Sequence, residues 1–143
     1  MKRLPLAALL LCCCLFAQQP GSLPKKLKTL LSKQGFSGQI EGKVNFRRLG
    51  TLECGPEKLE VFYYTWEESV HPGQAIHASY RIVLLSGGNH YIGSYVVADR
   101  PSSIDRRSLR FDYPEQSGST IKCDSNGPPK QVLLNGELQI LAK

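Results

Sequence analysis

Residues 76–98 carry the clearest alternation of apolar and polar side chains in the chain. A period of two is typical of a pleated strand, and Gly87-Gly88 interrupts it with two residues suited to a tight turn with positive φ. The pattern therefore predicts a two-stranded hairpin with one apolar, aromatic face and one more polar face. Its predicted pairs are Leu84 with Tyr91, Ile82 with Gly93, Tyr80 with Tyr95 and Ala78 with Val97.

The stretch 58–67 predicts a strand with large apolar side chains on both faces. Phe62, Tyr64 and Trp66 form an aromatic row on one of those faces. An exposed row would be a candidate binding patch, because aromatic side chains anchor many interfaces. A row packed in the core is the alternative, since small domains use their aromatic residues for packing.

Shorter patterns predict the remaining strands and their turns. These strands are expected over 38–54 (one or two strands), 108–113 and 119–123, with a turn over 114–118 between the last two. Gly50 predicts a bend or bulge, and residues 99–107 read as a polar loop. Asn135-Gly136 between two apolar runs is the strongest short signal for a second hairpin.

Residues 22–35 carry the one helical pattern, with leucines on one face and lysines elsewhere. Ser22 suits the N-terminal cap, and Gly35 suits the left-handed position that ends a helix. One helix followed by sequential hairpins predicts a mainly β fold. We expect an antiparallel β-sandwich with one N-terminal amphipathic helix after a signal peptide, and a small half-open β-barrel is the alternative.

The start of the chain resembles an export signal. Lys2 and Arg3 precede an apolar run over 4–16, and the small residue Ala17 follows it. The apolar run is too short to cross a bilayer as a helix. Residues 1–17 are therefore predicted to be a removable signal peptide, which makes the protein secreted or periplasmic.

The sequence thus divides into three parts: 1–17 signal peptide, 18–37 leader and amphipathic helix, and 38–143 antiparallel β domain. No transmembrane segment is expected. Attachment to a membrane through a lipid anchor on Cys12 is the less favoured alternative to a secreted or periplasmic protein. The reason is that Leu11 stands where a small residue is preferred.

Two cysteines, Cys54 and Cys123, remain after removal of the predicted signal. An even number of cysteines in an oxidising compartment predicts a disulfide. The alternative is a pair of buried thiols. A bridge between these two would close a loop of about 70 residues and stabilise the fold by roughly 4 kcal/mol in the chain-entropy model.

The charge is mildly basic. The full chain carries a net charge of +6, and without Lys2 and Arg3 its 16 basic and 12 acidic residues leave +4. A possible basic rim consists of Arg100, Arg106, Arg107 and Arg110, with Lys122 nearby. Such a rim suits an acidic protein or an anionic envelope component. Pairing of these arginines with neighbouring aspartates is the alternative, and nucleic acid is not an expected partner of an exported protein.

Catalytic and metal-binding patterns are missing from the sequence. The chain has three histidines, without HxH, HExxH or CxxC spacing, and no Gly-x-Ser-x-Gly segment. We therefore expect no catalytic residues, no metal and no cofactor. An uncharacterised hydrolase would need a histidine and a nucleophile to meet in one pocket.

The sequence predicts an exported, non-enzymatic β domain that binds another macromolecule or an envelope component. Its oligomeric state stays open. The first alternative is a small barrel that holds an apolar ligand between the leucines of the helix and Tyr80, Tyr91 and Tyr95.

Overall fold

The computed structural model describes residues 22–69, 71–73, 76–87, 89–113 and 119–143. One helix and nine strands follow one another in this part of the chain. In order they are α1 (Ser22–Lys33), β1 (Lys43–Cys54), β2 (Glu57–Ser69), β3 (Ile76–Ser86), β4 (His90–Val97), β5 (Ser103–Ile104), β6 (Ser108–Arg110), β7 (Thr120–Lys122), β8 (Gln131–Leu134) and β9 (Glu137–Ile140).

All the strand pairs are antiparallel, and neighbouring strands follow chain order. A large sheet has the order β1-β2-β3-β4, a small sheet has the order β5-β6-β7, and β8 pairs with β9. The predicted mainly β fold with one helix is confirmed, and the described strands do not close into a barrel. The loop predicted over 99–107 contains one short strand, β5, because Ser103 and Ile104 pair with Arg110 and Leu109.

The large sheet is buried on both faces. One face packs against α1 and the segment after it, in a core that includes Leu31, Phe62 and Val83. The opposite face packs against the small sheet and β8, in a core that includes Val61 and Leu109. Apolar residues on both faces of β2 therefore reflect a strand that is covered on both sides, which is one of the two alternatives that its sequence left open.

Helix α1 lies on the large sheet through a leucine face. Leu27 and Leu31 are buried there, and Leu30 packs against the same core. The helix ends in a Schellman arrangement, in which the Phe36 amide donates to the Leu31 carbonyl at 3.1 Å and Gly35 has φ 84°. Gly35 therefore occupies the position predicted for it, and Phe36 enters the core beside Leu31.

The central hairpin forms, but its predicted register is wrong by two residues. Leu84 lies opposite Gly93 rather than Tyr91, which lies opposite Leu85. Because Ser86 pairs with His90, the turn is one residue longer than predicted. The register then shifts once more between Leu84 and Leu85, which leaves Ile92 as an extra residue on β4.

The longer turn alone moves Tyr91 to the other face of the sheet. A side chain changes face with each single-residue slip, so Tyr91 packs with α1 while Tyr95 stays on the opposite face. Two shifts restore the faces of the more distant pairs, in which Ile82 lies opposite Tyr95 and Tyr80 opposite Val97.

Two other local predictions, a hairpin turn and a bulge, are confirmed. Asn135 and Gly136 join β8 to β9 with φ values of 50° and 74°, as a hairpin turn with positive φ at both positions requires. The register of β1 against β2 shifts between Arg48 and Gly50, which is the predicted bulge. Beyond β9, Ala142 forms an isolated antiparallel bridge with Ser94 on the free edge of β4.

Several predictions fall outside the described residues: the signal peptide and leader, the cap formed by the Ser22 side chain, the Gly88 position of the hairpin turn and the turn over 114–118. Within the part of the chain that the structure describes, no helix has the length and apolar character that crossing a membrane requires.

Candidate functional site

The two cysteines meet at one end of the molecule. Cys54 ends β1 and Cys123 follows β7, and their Cα atoms lie 4.9 Å apart in a disulfide pair. Both residues are buried. The bridge joins the large sheet to the small sheet, and the Cys123 amide donates to the Arg107 carbonyl at 2.9 Å. The disulfide and this hydrogen bond together therefore hold the turn that carries Arg106 and Arg107 against the end of β1.

The aromatic row of β2 is mostly core. Phe62 is 2 % exposed and Tyr64 is fully buried, with its hydroxyl donating to the Gln39 carbonyl at 2.8 Å. Phe36 packs edge-on against Tyr64 with ring centroids 5.3 Å apart. Only Trp66, near the end of the strand, is half-buried rather than buried. The structure therefore does not offer these three residues as one exposed patch.

The basic rim, in contrast, is exposed. Its four arginines and Lys122 all reach solvent. On β6 and β7, Leu109 and Ile121 are paired and point into the core, so Arg110 and Lys122 project from the outer face. Because Lys122 lies opposite Ser108, two residues from Arg110, the two cations are diagonal neighbours on that face.

Asp105 fixes the turn between β5 and β6. It accepts hydrogen bonds from the Ser108 hydroxyl at 2.7 Å and from the amides of Ser108 and Arg107 at 2.8 and 2.9 Å. These hydrogen bonds, led by that of the Ser108 hydroxyl, lower the pKa of Asp105. Its carboxylate is thus engaged with the turn, which is held in one geometry beside the disulfide.

One arginine of the rim is held in an ion pair. Arg106 Nε lies 2.5 Å from Glu53 Oε2, and the Glu53 amide donates to the Arg106 carbonyl at 2.8 Å. Among the described residues, the only other ion pair within 4 Å joins Arg48 to Glu60. Within this part of the chain, the pairing of rim arginines with neighbouring aspartates that the sequence left open is therefore not found.

Arg100 lies at the side of the small sheet. It lines a cavity of about 120 Å³ together with Leu49, Pro101 and Ile104, among other residues. Asp99 accepts a hydrogen bond from the Arg100 amide at 2.7 Å. Nearby, burial raises the pKa of Tyr63 to about 12, and the charge of Asp99 adds to this effect.

We define the basic face as the four cations Arg100, Arg107, Arg110 and Lys122. Arg110 and Lys122 lie on strands of the small sheet, Arg107 lies in the turn before β6, and Arg100 lies before β5. Arg106 stands beside them, but its pairing with Glu53 partly neutralises it. The basic face is rigid in its backbone, because the sheet hydrogen bonds, the Asp105 turn and the disulfide fix the strands that present it.

A groove that the sequence did not indicate lies at the other end of β1. Its volume is about 450 Å³, and Trp66 lines it with Glu41, Lys43, Glu67 and Glu68. The last residues of β2 are exposed here. The sequence pattern grouped Trp66 with Phe62 and Tyr64, whereas Glu41 comes from a separate segment before β1.

Arg81 is a further charged side chain, and its contacts are with other parts of the fold. It is half-buried on the helix side of the large sheet, and its guanidinium donates to Ser37 Oγ at 3.1 Å. Its central carbon lies 5.6 Å from the centroid of the Phe36 ring, within the range of a cation–π contact. These contacts tie the segment after α1 to β3.

The proposed apolar-ligand site would have needed Tyr80, Tyr91 and Tyr95 on one face with the helix leucines. The structure separates them, since Tyr91 packs with α1 and Tyr95 packs on the opposite face. Tyr95 is fully buried, and its hydroxyl donates to the Pro129 carbonyl. These tyrosines therefore do not line a common site.

Comparisons with protein-family models, curated proteins and solved structures give no match for this chain.

Proposed function

We propose that the protein is an exported, non-enzymatic binding domain whose basic face engages an anionic macromolecule of the cell envelope. The observation that carries this proposal is the exposure of Arg110 and Lys122 on the small sheet and of Arg107 in its turn, with none of them in an ion pair to another described residue. A cation without an internal partner is available to an external anion.

The chemistry of the face suits phosphate, sulfate or carboxylate groups on an extended polymer. Guanidinium groups present several N–H donors in a plane and bind such oxyanions through paired hydrogen bonds. Arg110 and Lys122, as diagonal neighbours, would contact successive anionic groups along the polymer. Little backbone entropy would be lost on binding, because the disulfide and the Asp105 turn already fix the strands.

The export part of the proposal has two supports. The first is the basic, apolar and small-residue pattern of residues 1–17. The second is the buried Cys54–Cys123 pair, because structural disulfides persist in oxidising compartments outside the cytosol.

The test is a binding titration with a sulfated polysaccharide at low ionic strength. The variant R107Q/R110Q/K122Q removes three charges from the basic face. The matched control, K25Q/K26Q/K33Q, removes three charges from the exposed surface of α1. Both variants have the same net charge, so a difference between them reports the location of binding rather than long-range attraction.

Each exposed ion pair contributes about 0.2–1 kcal/mol. Loss of three such contacts should weaken binding by roughly 3- to 150-fold for the face variant, whereas the helix variant should bind nearly as the wild type does. Equal weakening in the two variants would show that only net charge attracts the polymer. Failure of the wild-type protein to bind any polyanion would refute the proposal.

A further inference from the structure

The groove around Trp66 is a second candidate binding site, distinct from the basic face. It lies at the start of β1, whereas the end of β1 meets the turn of the basic face through the hydrogen bond from Glu53 to Arg106. A strand of 12 residues separates the two sites, which places them roughly 35 Å apart at about 3.3 Å per residue.

We propose that this groove binds a primary ammonium group, as carried by the side chain of a lysine on a partner peptide. The proposal rests on three features that meet there: a cavity of about 450 Å³, an indole ring in its wall, and an excess of carboxylates among its lining residues.

The indole ring lies next to the exposed end of β2. Trp66 packs against the helix-side core through part of its surface, yet it stays half-buried and lines the groove. Gly42 lies beside the ring, since a Cβ built at Gly42 would be in ordinary van der Waals contact, 3.8 Å from the indole nitrogen. Tryptophan is the aromatic side chain with the strongest attraction for a cation.

The charges that line the groove select a cation. Glu41, Glu67 and Glu68 line the groove with a single base, Lys43, so its formal charge is opposite in sign to that of the basic chain as a whole. Lys43 is the cross-strand partner of Glu67, but no ion pair within 4 Å joins it to another described residue.

A primary ammonium fits this arrangement better than a quaternary one. A quaternary ammonium has no N–H to donate and needs several aromatic rings around it, whereas this groove has one indole. An ammonium with three N–H donors can contact the indole and donate to carboxylate oxygens at the same time. A lysine side chain also brings an apolar stem that can lie along the wall of the groove.

Trp66 is the only tryptophan in the sequence, so it reports its own site. Its single indole N–H signal in a proton–nitrogen NMR spectrum can be followed while the protein is titrated with trilysine that is acetylated only at its N-terminus and amidated at its C-terminus. The same peptide with acetylated Nε atoms keeps the backbone but loses the charge. Tetramethylammonium tests the quaternary alternative.

We expect a saturable shift of the indole signal with trilysine. Binding should be about tenfold weaker with the Nε-acetylated peptide and with tetramethylammonium. The variant E67Q/E68Q should weaken trilysine binding about fivefold. The control E57Q/E137Q makes the same charge change at exposed positions outside the groove and should leave binding within about twofold. The variant K43Q should strengthen binding, because it removes the one cation of the groove.

Three results would overturn the proposal. The first is an indole signal that trilysine does not shift, provided that the remaining spectrum shows a folded protein. The second is an equal response to the charged and the Nε-acetylated peptide, which would show that the ammonium charge is not recognised. The third is an equal loss in E67Q/E68Q and E57Q/E137Q, which would reduce the effect to general attraction by acidic residues.

Discussion

Removal of the disulfide should destabilise the fold strongly, because the bridge closes most of the β domain into one loop. Cys54 and Cys123 are 69 residues apart in the chain. The chain-entropy model gives a contribution of about 4 kcal/mol for a loop of that length. Native domains of this size have a free energy of unfolding of about 5–15 kcal/mol, so the loss is a large fraction of the total.

The double variant C54A/C123A isolates this effect without leaving free thiols. Urea denaturation of the wild type and the variant should show a lower midpoint for the variant, with a fitted difference of about 3–5 kcal/mol in the free energy of unfolding. Both cysteines are buried, so the smaller side chains add a cost of their own. Reduction of the wild type supplies the matched control, because it opens the bridge without a change of side chain.

A difference below about 1 kcal/mol in both experiments would refute the reasoning. In that event, sheet packing alone would hold the small sheet in place, and the basic face would not depend on the bridge for its rigidity.

Three further predictions concern the packing that supports the two sites. Leu31→Ala removes a fully buried side chain from the helix-side core and should lower the free energy of unfolding by about 2–5 kcal/mol in urea denaturation, whereas the exposed Ser32→Ala should change it little. Gly93→Ala places a Cβ 2.7 Å from Leu141 Cδ1 and 2.9 Å from the Ala142 carbonyl oxygen; hydrogen exchange should then show loss of protection at the Ser94 amide, which donates to that carbonyl. The pKa of Tyr63 is raised from 10 to about 12, so this residue ionises at lower pH in the unfolded chain than in the folded one. The free energy of unfolding should therefore fall as pH rises above 10, and it should fall less steeply in Tyr63→Phe. An equally steep fall in that variant would contradict the prediction.

The overall fold was largely predictable because local signals and packing agree. The leucine period of α1, Gly35 at its end and the Asn135-Gly136 turn each determine a local geometry that the tertiary structure keeps. Apolar residues on both faces of β2 are explained by two covering layers, the helix and the small sheet, although the sequence also allowed an exposed aromatic row.

The register of the central hairpin was not predictable in the same way. Alternation fixes which residues share a face only while the strand stays regular, and the extra residue at Ile92 breaks that condition. A longer turn and a bulge each shift the pairing by one residue, so their combined effect cannot be read from a period of two. The consequence was the mistaken grouping of Tyr91 with Tyr95.

The candidate sites were predictable only in part. The basic rim was visible because its arginines cluster in the sequence, although the sequence did not show that Arg106 pairs with Glu53. The Trp66 groove was not visible, because Glu41 is separated from Trp66 by the whole of β1. Sites built across a strand pair need the register before their residues can be grouped.

The central claim is that the basic face binds an anionic macromolecule. Its most direct test is amide chemical-shift mapping of the mature protein with a short sulfated oligosaccharide. We predict that the largest shifts fall on the amides of 107–110 and Lys122, with only small shifts along α1. The largest shifts along α1, or no saturable shift anywhere, would contradict the claim.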